Sequence, residues 1–401
     1  MAGKSIYDKK TVRDIEVAGK RVLVRVDFNV PLTNDCKIAD DTRIVESAPT
    51  IRYLRERGAK IIILSHLGRP HGEIDPQSSL KVAANRFSQI LGHEVQFCPD
   101  CIGELPKKMI AKLQPGDVLV LENVRFHPEE EKNDPEFAAK LAELGDIYVD
   151  DAFGAAHRYH ASMEGVARLL PAVAGLLVEK ELVVMGKALE NPDRPFVAVM
   201  GGAKVTDKIG VIQNLLEKVD HLLVGGGIGH TFLAAQGYDM GLSRVNSSNI
   251  EWAKSLLQHD NAHKLHLPVD LVVAESFDEK ARTRIVGIDE VPLGWMALDI
   301  GPQTVAQYTE IIKQAKTVVW NGPMGVFEME PFASGTRGMA LAIAKTHCTS
   351  IIGGGDSVSA LEKCGVSYLV SHVSTGGGST LEFLEGIDLP AIKVLDDLEE
   401  E

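Results

Sequence analysis

Two sets of residues in this chain have the types and spacing to handle anions. The first is basic: His66 and Arg69, then Arg125, then His157 and Arg158 follow three different short apolar runs. Arginine offers a planar fork of donors that matches carboxylate and phosphate, so a converging group of them suits a small anion carrying either. One such arginine alone would read as solvated surface. Several at one edge of a chain with a formal net charge of −14 imply that positive charge has been gathered locally against the global sign. The second set is glycine-rich: Gly201-Gly-Ala-Lys204, Gly225-Gly-Gly-Ile-Gly229, Asn321-Gly-Pro-Met-Gly325, Gly353-Gly-Gly-Asp356 and Ser374-Thr-Gly-Gly-Gly378. Glycine lets backbone amides approach a phosphate, and a helix N-terminus behind the loop favours negative charge. Neither a Walker A sequence nor a GxGxxG fingerprint is present, so the floor this implies is of another kind.

Charged residues among the glycines sharpen the reading. Val205, Ile209, Ile212, Leu216 and Val219 predict a helix from near Thr206, with Lys204 and Lys208 at its start. Lysine there opposes the helix dipole by about 0.3–1 kcal/mol, a mismatch that a bound phosphate chain would reverse. Pairing with Asp207 or Glu217 is the plainer alternative. Asp356 is a candidate Mg²⁺ ligand and a candidate N-cap for a helix over Ser357–Lys363. Ser379-Thr-Leu-Glu382 reads as a capping box that starts a helix after Gly378. His157 and His160 lack a third ligand at metal spacing and read as packing or hydrogen-bonding side chains.

The elements that must position these residues are short β-branched strands alternating with helices. Val22–Val24, Ile61–Leu64, Val118–Leu121 and Ile147–Val149 precede the basic set. Phe196–Val199, Leu222–Val224, Leu271–Val273, Val318–Trp320, Ile351–Ile352 and Tyr368–Val370 accompany the glycine set. Continuous apolarity implies strands covered on both faces, and the alternation implies right-handed βαβ units with parallel sheets, whose ligands lie beyond the strands' carboxyl ends. A chain of 401 residues, 45% hydrophobic and 24% charged, implies two folded domains. The helix-forming segment Glu179–Glu190 closes at Asn191-Pro192 and Arg194-Pro195 and marks a boundary near residues 185–195. The acidic charge argues against nucleic acid and anionic membranes as partners. No apolar stretch is long enough to span a bilayer and no signal core follows Met1, so a cytoplasmic protein is expected. Five scattered cysteines fit a reducing compartment; only Cys98-Pro-Asp-Cys101 has suggestive spacing, as a pair of loop thiols or a redox switch.

The segments Arg25-Val-Asp-Phe-Asn-Val-Pro31, Ser65-His-Leu-Gly-Arg-Pro70, Leu121-Glu-Asn-Val-Arg-Phe126, Gly201-Gly-Ala-Lys-Val205, Trp320-Asn-Gly-Pro323, Gly353-Gly-Gly-Asp-Ser357 and Ser374-Thr-Gly-Gly-Gly378 resemble phosphoglycerate kinase, in order and from about residue 5 to the C-terminus. The resemblance implies two similar-sized Rossmann-like domains joined by a hinge helix: residues 1–185 with a tail of about 388–401 for phosphoglycerate, and 186–387 for nucleotide. It implies transfer of a phosphoryl group between 1,3-bisphosphoglycerate and ADP, giving 3-phosphoglycerate and ATP, with Mg²⁺ and as a monomer. By position, Asp27, Phe28, Asn29, Arg43, His66, Leu67, Gly68, Arg69, Arg125 and Arg158 would hold the phosphoglycerate. Gly201, Lys208, Ala297, Asn321, Glu328, Gly353, Gly354, Gly355, Asp356 and Ser357 would hold the nucleotide, with Glu328 at the ribose and Asp356 at the magnesium. Arg43, Lys204 and the amides of Gly376, Gly377 and Gly378 would face the phosphoryl group in transfer. Ala297 departs from the glycine often found there, and Cys98 is an addition to the usual segment.

The chemistry fits the residues. A carboxylate acceptor is already ionised at pH 7, so no general base is required. Positioning and cancellation of charge on an in-line transition state suffice, followed by closure of the hinge over residues 179–195 to exclude water. A kinase acting on a hydroxyl or another carboxylate is the rival enzyme. A phosphometabolite-binding scaffold is the rival without turnover, and it would be expected to lack Arg43, Lys204 or Asp356.

Overall fold

Six strands form the first sheet: β1 (Arg21–Val26), β2 (Lys60–Leu64), β3 (Val95–Cys98), β4 (Val118–Leu121), β5 (Ile147–Asp151) and β6 (Ala172–Ala174). Their order is β3-β4-β2-β1-β5-β6, and every pair is parallel. The computed structural model describes residues 8–398. The polar opening of the chain (1–7) and the last three residues of the expected tail lie outside the described residues. Nearly every residue of β1, β2, β4 and β5 is buried, as helices on both faces require. The core joins Val22, Val24, Ile61, Ile63, Val118, Val120 and Val149 to Ile44, Ile51 and Phe87 of the flanking helices.

The second large sheet contains β7 (Phe196–Met200), β8 (His221–Val224) and β9 (Leu265–His266). After three strands of another sheet, β10 (Asp270–Ala274), β11 (Thr283–Gly287) and β12 (Met296–Ile300), it resumes with β13 (Thr317–Asn321), β14 (Thr349–Gly353) and β15 (His372–Val373). Its order is β15-β14-β13-β7-β8-β9, again parallel throughout. Trp320, Val197, Val199, Val318 and Ile352 fill its core with Met339, Ile343 and Leu361.

Two expectations are corrected. The apolar run at Leu271–Val273 is the middle of an antiparallel sheet, β11-β10-β12, with a register shift between Val272 and Val273. Continuous apolarity reports burial on both faces; it carries no information about the direction of the neighbouring strand. Tyr368–Val370 is not a strand: Ser367–Leu369 is a 3₁₀ turn with Tyr368 80% exposed, and the strand follows at His372–Val373.

The chain divides into two compact units. One runs to Val183 and resumes at Asp388; the other is Val184–Ile387. The helix Leu176–Glu190 carries the chain from one to the other. The returning C-terminal segment is stitched into the first unit through the backbone: the Ala391 amide donates to Ala156, the Asp396 amide to Ala172, and Asp396 accepts from the Lys10 amide. In both large sheets all strands point the same way, so each gathers its carboxyl ends, and the loops behind them, along one edge.

Candidate active site

In the first unit the loop after β1 is built to hold a guanidinium. Arg43 Nη1 pairs with Asp27 Oδ2 at 2.8 Å and donates to the Asn29 carbonyl at 3.2 Å. Asn29 in turn accepts from the Gly68 amide at 2.9 Å, which ties the loop after β1 to the loop after β2. Phe28 and Leu67 are structural. The Phe28 ring is fully buried with its centroid 5.1 Å from that of Phe87, and its amide donates to Ser65 Oγ. Leu67 is buried, and its carbonyl accepts from Asn123 Nδ2. Only their backbones can face a ligand.

Arg25, inside β1, is 1% exposed and donates from Nε to Ser162 Oγ, from Nη1 to its neighbour's carbonyl, and from Nη2 to His66 Nδ1 at 3.0 Å. A guanidinium can only donate, so His66 Nδ1 is the acceptor and Nε2 carries the proton. Burial first, then the charge on Arg25, holds His66 well below the ordinary imidazole range, so the ring is a neutral donor. His157 is lowered to about 4 and His160 to about 3, by burial and by surrounding arginines. His66, His157 and His160 are therefore uncharged at pH 7, which leaves the positive field of this edge to the arginines.

Arg125 is 3% exposed, donates from Nη1 to the Gly68 carbonyl, and lies 3.2 Å through Nε from Glu131. Burial and its neighbour Arg158 lower its pKa to about 10, and Arg158 is lowered for the same kind of reason. Arg125 Nη2 and Arg158 Nε are buried with no hydrogen-bond partner among the described residues. Two donors in that condition on mutually repelling guanidinium groups are costly unless an anion takes them. Arg69 is exposed.

The second unit works through backbone. Three helices, Gly226–Ala235, Gly355–Lys363 and Gly378–Glu385, start at the ends of β8, β14 and β15. Each is capped by a glycine, Gly225, Gly354 or Gly377, and none has a side-chain cap. Gly354 at φ 87° and Gly377 at φ 51° sit in the left-handed region, which lets the chain turn into the helix at once. This overrides both sequence-level caps. Asp356 lies inside the first helical turn instead of capping it, and Ser379 is the second residue of its helix, so no capping box forms. The Gly226 amide is taken by the Met324 carbonyl and the Ser357 and Ser379 amides by their own turns, while the Gly355 and Asp356 amides have no acceptor among the described residues and can meet an anion. Close approach of backbones also demands glycine: a Cβ on Gly226 would lie 3.0 Å from the Gly202 carbonyl oxygen, and one on Gly322 (φ 96°) would overlap that of Gly201.

The lysine helix is shorter than its sequence pattern. Thr206–Lys208 is a 3₁₀ turn and the α-helix begins at Ile209. Lys208 turns inward, its Nζ donating to the carbonyls of Gly201 at 2.6 Å, the first residue after β7, and of Asn321 at 3.1 Å, the last of β13. Burial lowers it to about 8. Lys204 is exposed, with no hydrogen bond or ion pair among the described residues. Asn321 Nδ2 is buried without a partner beside Gly353 and Gly354. Ser357 is occupied, accepting the Gly322 amide at 2.6 Å.

Ala297, Glu328 and Asp356 line one cavity of about 580 Å³ with Gly202, Gly226 and Gly227. Its remaining wall was not read from the sequence: Leu242, Phe277, Met296, Leu298 and Val326 make an apolar slot, and Leu242 and Phe277 are about 60% exposed at its surface. Asp356 is exposed and makes no hydrogen bond or ion pair among the described residues, so one hard oxygen donor is available at the glycine floor.

Paired parallel α/β units, one edged with guanidinium groups and one with uncapped helix N-termini, define a phosphoryl-transfer enzyme of the two-domain type. The family model for phosphoglycerate kinase matches residues 12–387. A curated protein named phosphoglycerate kinase, from Pelotomaculum thermopropionicum, is 54% identical over 389 residues, covering 96% of this chain and 99% of its own. The solved phosphoglycerate kinase from Coxiella burnetii superposes with a TM-score of 0.89 at 44% identity, over 96% of this chain and 98% of that one. That from Pyrococcus horikoshii gives 0.84 at 35% identity with the same coverage. The chain belongs to the phosphoglycerate kinase family. It is an ATP-dependent phosphotransferase with a carboxyl group as acceptor, and it interconverts 1,3-bisphosphoglycerate plus ADP with 3-phosphoglycerate plus ATP.

Proposed function

We propose that the first unit binds the phosphoglycerate and the second the nucleotide, with the two sets of strand ends as the two half-sites. The observation that carries this is the pair of buried, unpartnered guanidinium nitrogens on Arg125 and Arg158, which need an anion. Arg69 and the Nε2 proton of His66 supply further donors, and the Gly68 loop, held by Asn29 and Arg125, sets their spacing. Arg43, fixed by Asp27, faces the phosphoryl group, together with Lys204 and the amides of Gly376, Gly377 and Gly378. In the second unit the base enters the apolar slot beside Ala297, Glu328 meets the ribose, and Gly201, Lys208, Asn321 and the Gly353–Ser357 loop meet the phosphates.

Asp356 fits a magnesium site of the nucleotide-bound kind, one carboxylate with the remaining ligands from phosphate and water. Bound there, the ion would offset charge between the phosphoryl groups. The chain's own contribution is orientation: the carboxylate acceptor needs no base, and Arg43, Lys204 and helix amides cancel charge as it develops. The enzyme acts in the cytoplasm as a monomer, and the two half-sites meet by closure about the helix Leu176–Glu190.

Calorimetric titration of single-site variants tests the division. Arg158→Ala should lose 3-phosphoglycerate binding and keep ADP binding within a factor of about two, since hydrogen bonds to charged groups contribute about 1.5–3 kcal/mol. Loss of ADP affinity of equal size in that variant would overturn it. Small-angle scattering with one and then both substrates tests closure, and dimensions that do not change would refute it.

A further inference from the structure

The loops after β3 and β4 bring together three side chains that phosphoryl transfer does not use. Asp100 and Cys101 follow β3, and His127 follows the 3₁₀ turn Val124–Phe126 after β4. The two strands are parallel neighbours, so their ends lie side by side. One ligand atom from each residue lies within 4.8 Å of the other two. His127 Nε2 is 3.1 Å from Asp100 Oδ1, which also accepts the Cys101 amide at 2.7 Å. Cys101 is fully buried and Asp100 and His127 are half-buried, so the set is reachable from solvent at its Asp100 and His127 end. Neighbouring ligands around a tetrahedral zinc stand about 3.3–3.8 Å apart, given bonds of about 2.0–2.3 Å. The existing spacing therefore needs shifts of under about 1 Å.

We propose that Asp100, Cys101 and His127 form a binding site for a borderline-soft divalent transition metal of the zinc and cobalt class, distinct from the nucleotide's magnesium. The donor set, one thiolate, one imidazole and one carboxylate, suits such metals and not magnesium. Burial first, then the charges of Asp100, Glu130 and Glu122, hold the Cys101 thiol protonated until a cation displaces its proton, and the two glutamates are engaged elsewhere, Glu122 by Ser79 and backbone amides and Glu130 by Ser162. They favour a cation without competing as ligands. The fourth position, on the open side, takes water. Binding replaces the Asp100–His127 hydrogen bond, in which Nε2 is the donor because a carboxylate only accepts: Cys101 gives up its thiol proton to the buffer, the imidazole proton leaves Nε2 and is regained from solvent at Nδ1, and no electron is transferred. Cys98 is buried and free but lies outside the set, so this is not a Cys-x-x-Cys dithiol site.

Cobalt(II) chloride titrated into reduced, nucleotide-free enzyme tests the proposal. The expected result is one equivalent bound with a thiolate-to-cobalt charge-transfer band, which zinc displaces. Cys101→Ala should abolish the band, and Cys98→Ser should keep it. His127→Gln should weaken binding at least about tenfold, since even partners one shell out contribute that much. The oxygen ligands of a magnesium site give no thiolate band. No band at saturating cobalt, a band that survives Cys101→Ala at wild-type affinity, or one lost with Cys98→Ser would overturn the proposal. So would unchanged affinity in His127→Gln.

Discussion

Under the proposed assignment, the two strand edges would meet the same kind of ligand by opposite means. The first unit uses side chains: Arg25, Arg43 and Arg125 are locked by Ser162, Asp27 and Gly68, Arg158 keeps a buried donor without a partner, and the histidines among them are kept neutral. The second uses backbone: glycine caps leave helix amides free, and lysines and one carboxylate trim the charge. Side-chain sites are specific to a shape, in the proposed assignment a small acid with phosphate at one end, because each guanidinium fork has a fixed plane. Amide floors accept any phosphate chain and leave discrimination to a separate apolar slot. The difference predicts that lesions in the first unit act on one substrate through charge, and lesions in the second act through packing.

Arg43→Ala should break the comparison most visibly, lowering kcat about 10²–10³-fold, the range for removing one preorganised donor at a developing charge. Steady-state kinetics decides it; near-normal kcat would take Arg43 out of the transfer step. Next in size, Arg125→Ala should raise the KM for phosphoglycerate about 10–100-fold and leave that for ADP unchanged, because it removes a charged donor and an internal repulsion together. Gly322→Ala should destabilise the second unit by about 1–3 kcal/mol through backbone strain and the clash with Gly201. Its urea transition should fall while that of the first unit, followed through phosphoglycerate binding, holds.

The lysine set into the glycine floor gives a pH test. Lys208 titrates near 8, below the ordinary lysine value, because it is buried. A bound phosphate raises that value, so binding above pH 8 takes up a proton. ADP affinity should then fall up to about tenfold per pH unit from about 8 upward. Lys208→Arg should flatten the profile, since arginine stays charged. A wild-type profile flat to about pH 9.5 would mean that Lys208 remains on the carbonyls of Gly201 and Asn321 throughout. The smallest effect is expected at Arg25→Lys, which keeps the charge and loses the fork that fixes the His66 tautomer. KM for phosphoglycerate should rise a few-fold with kcat nearly unchanged; a fall in kcat alone would place His66 elsewhere in the cycle.

The parallel sheets were legible because buried β-branched runs such as Ile61–Leu64 and Val118–Leu121 have few other uses. The edge strands β6, β9 and β15 were not, being two or three residues long and poor in β-branched side chains, with alanine or histidine in place of an apolar run. The caps at Asp356 and Ser379 were misread for one reason. A side-chain cap is a residue-type signal, whereas a glycine one or two positions earlier acts through a φ angle that the sequence only permits. The basic residues could be named from type and position, but that Arg125 and Arg158 hold unpaired buried donors required coordinates. The apolar slot was invisible because Leu242, Phe277, Leu298 and Val326 come from separate segments, each ordinary by itself.

The return of the chain to its first unit imposes an order on synthesis. Asp396, whose carboxylate accepts from the Ala172 amide, is made 224 residues after it. Leu395 and Ile392, both nearly fully buried, arrive as late. The second unit, Val184–Ile387, is one continuous stretch and can fold on the ribosome as soon as it emerges, while the unit translated first waits for its final strap. A ribosome that stalls near the end of the message would therefore release a chain whose second unit is whole and whose first unit, encoded at the beginning, is left unfinished.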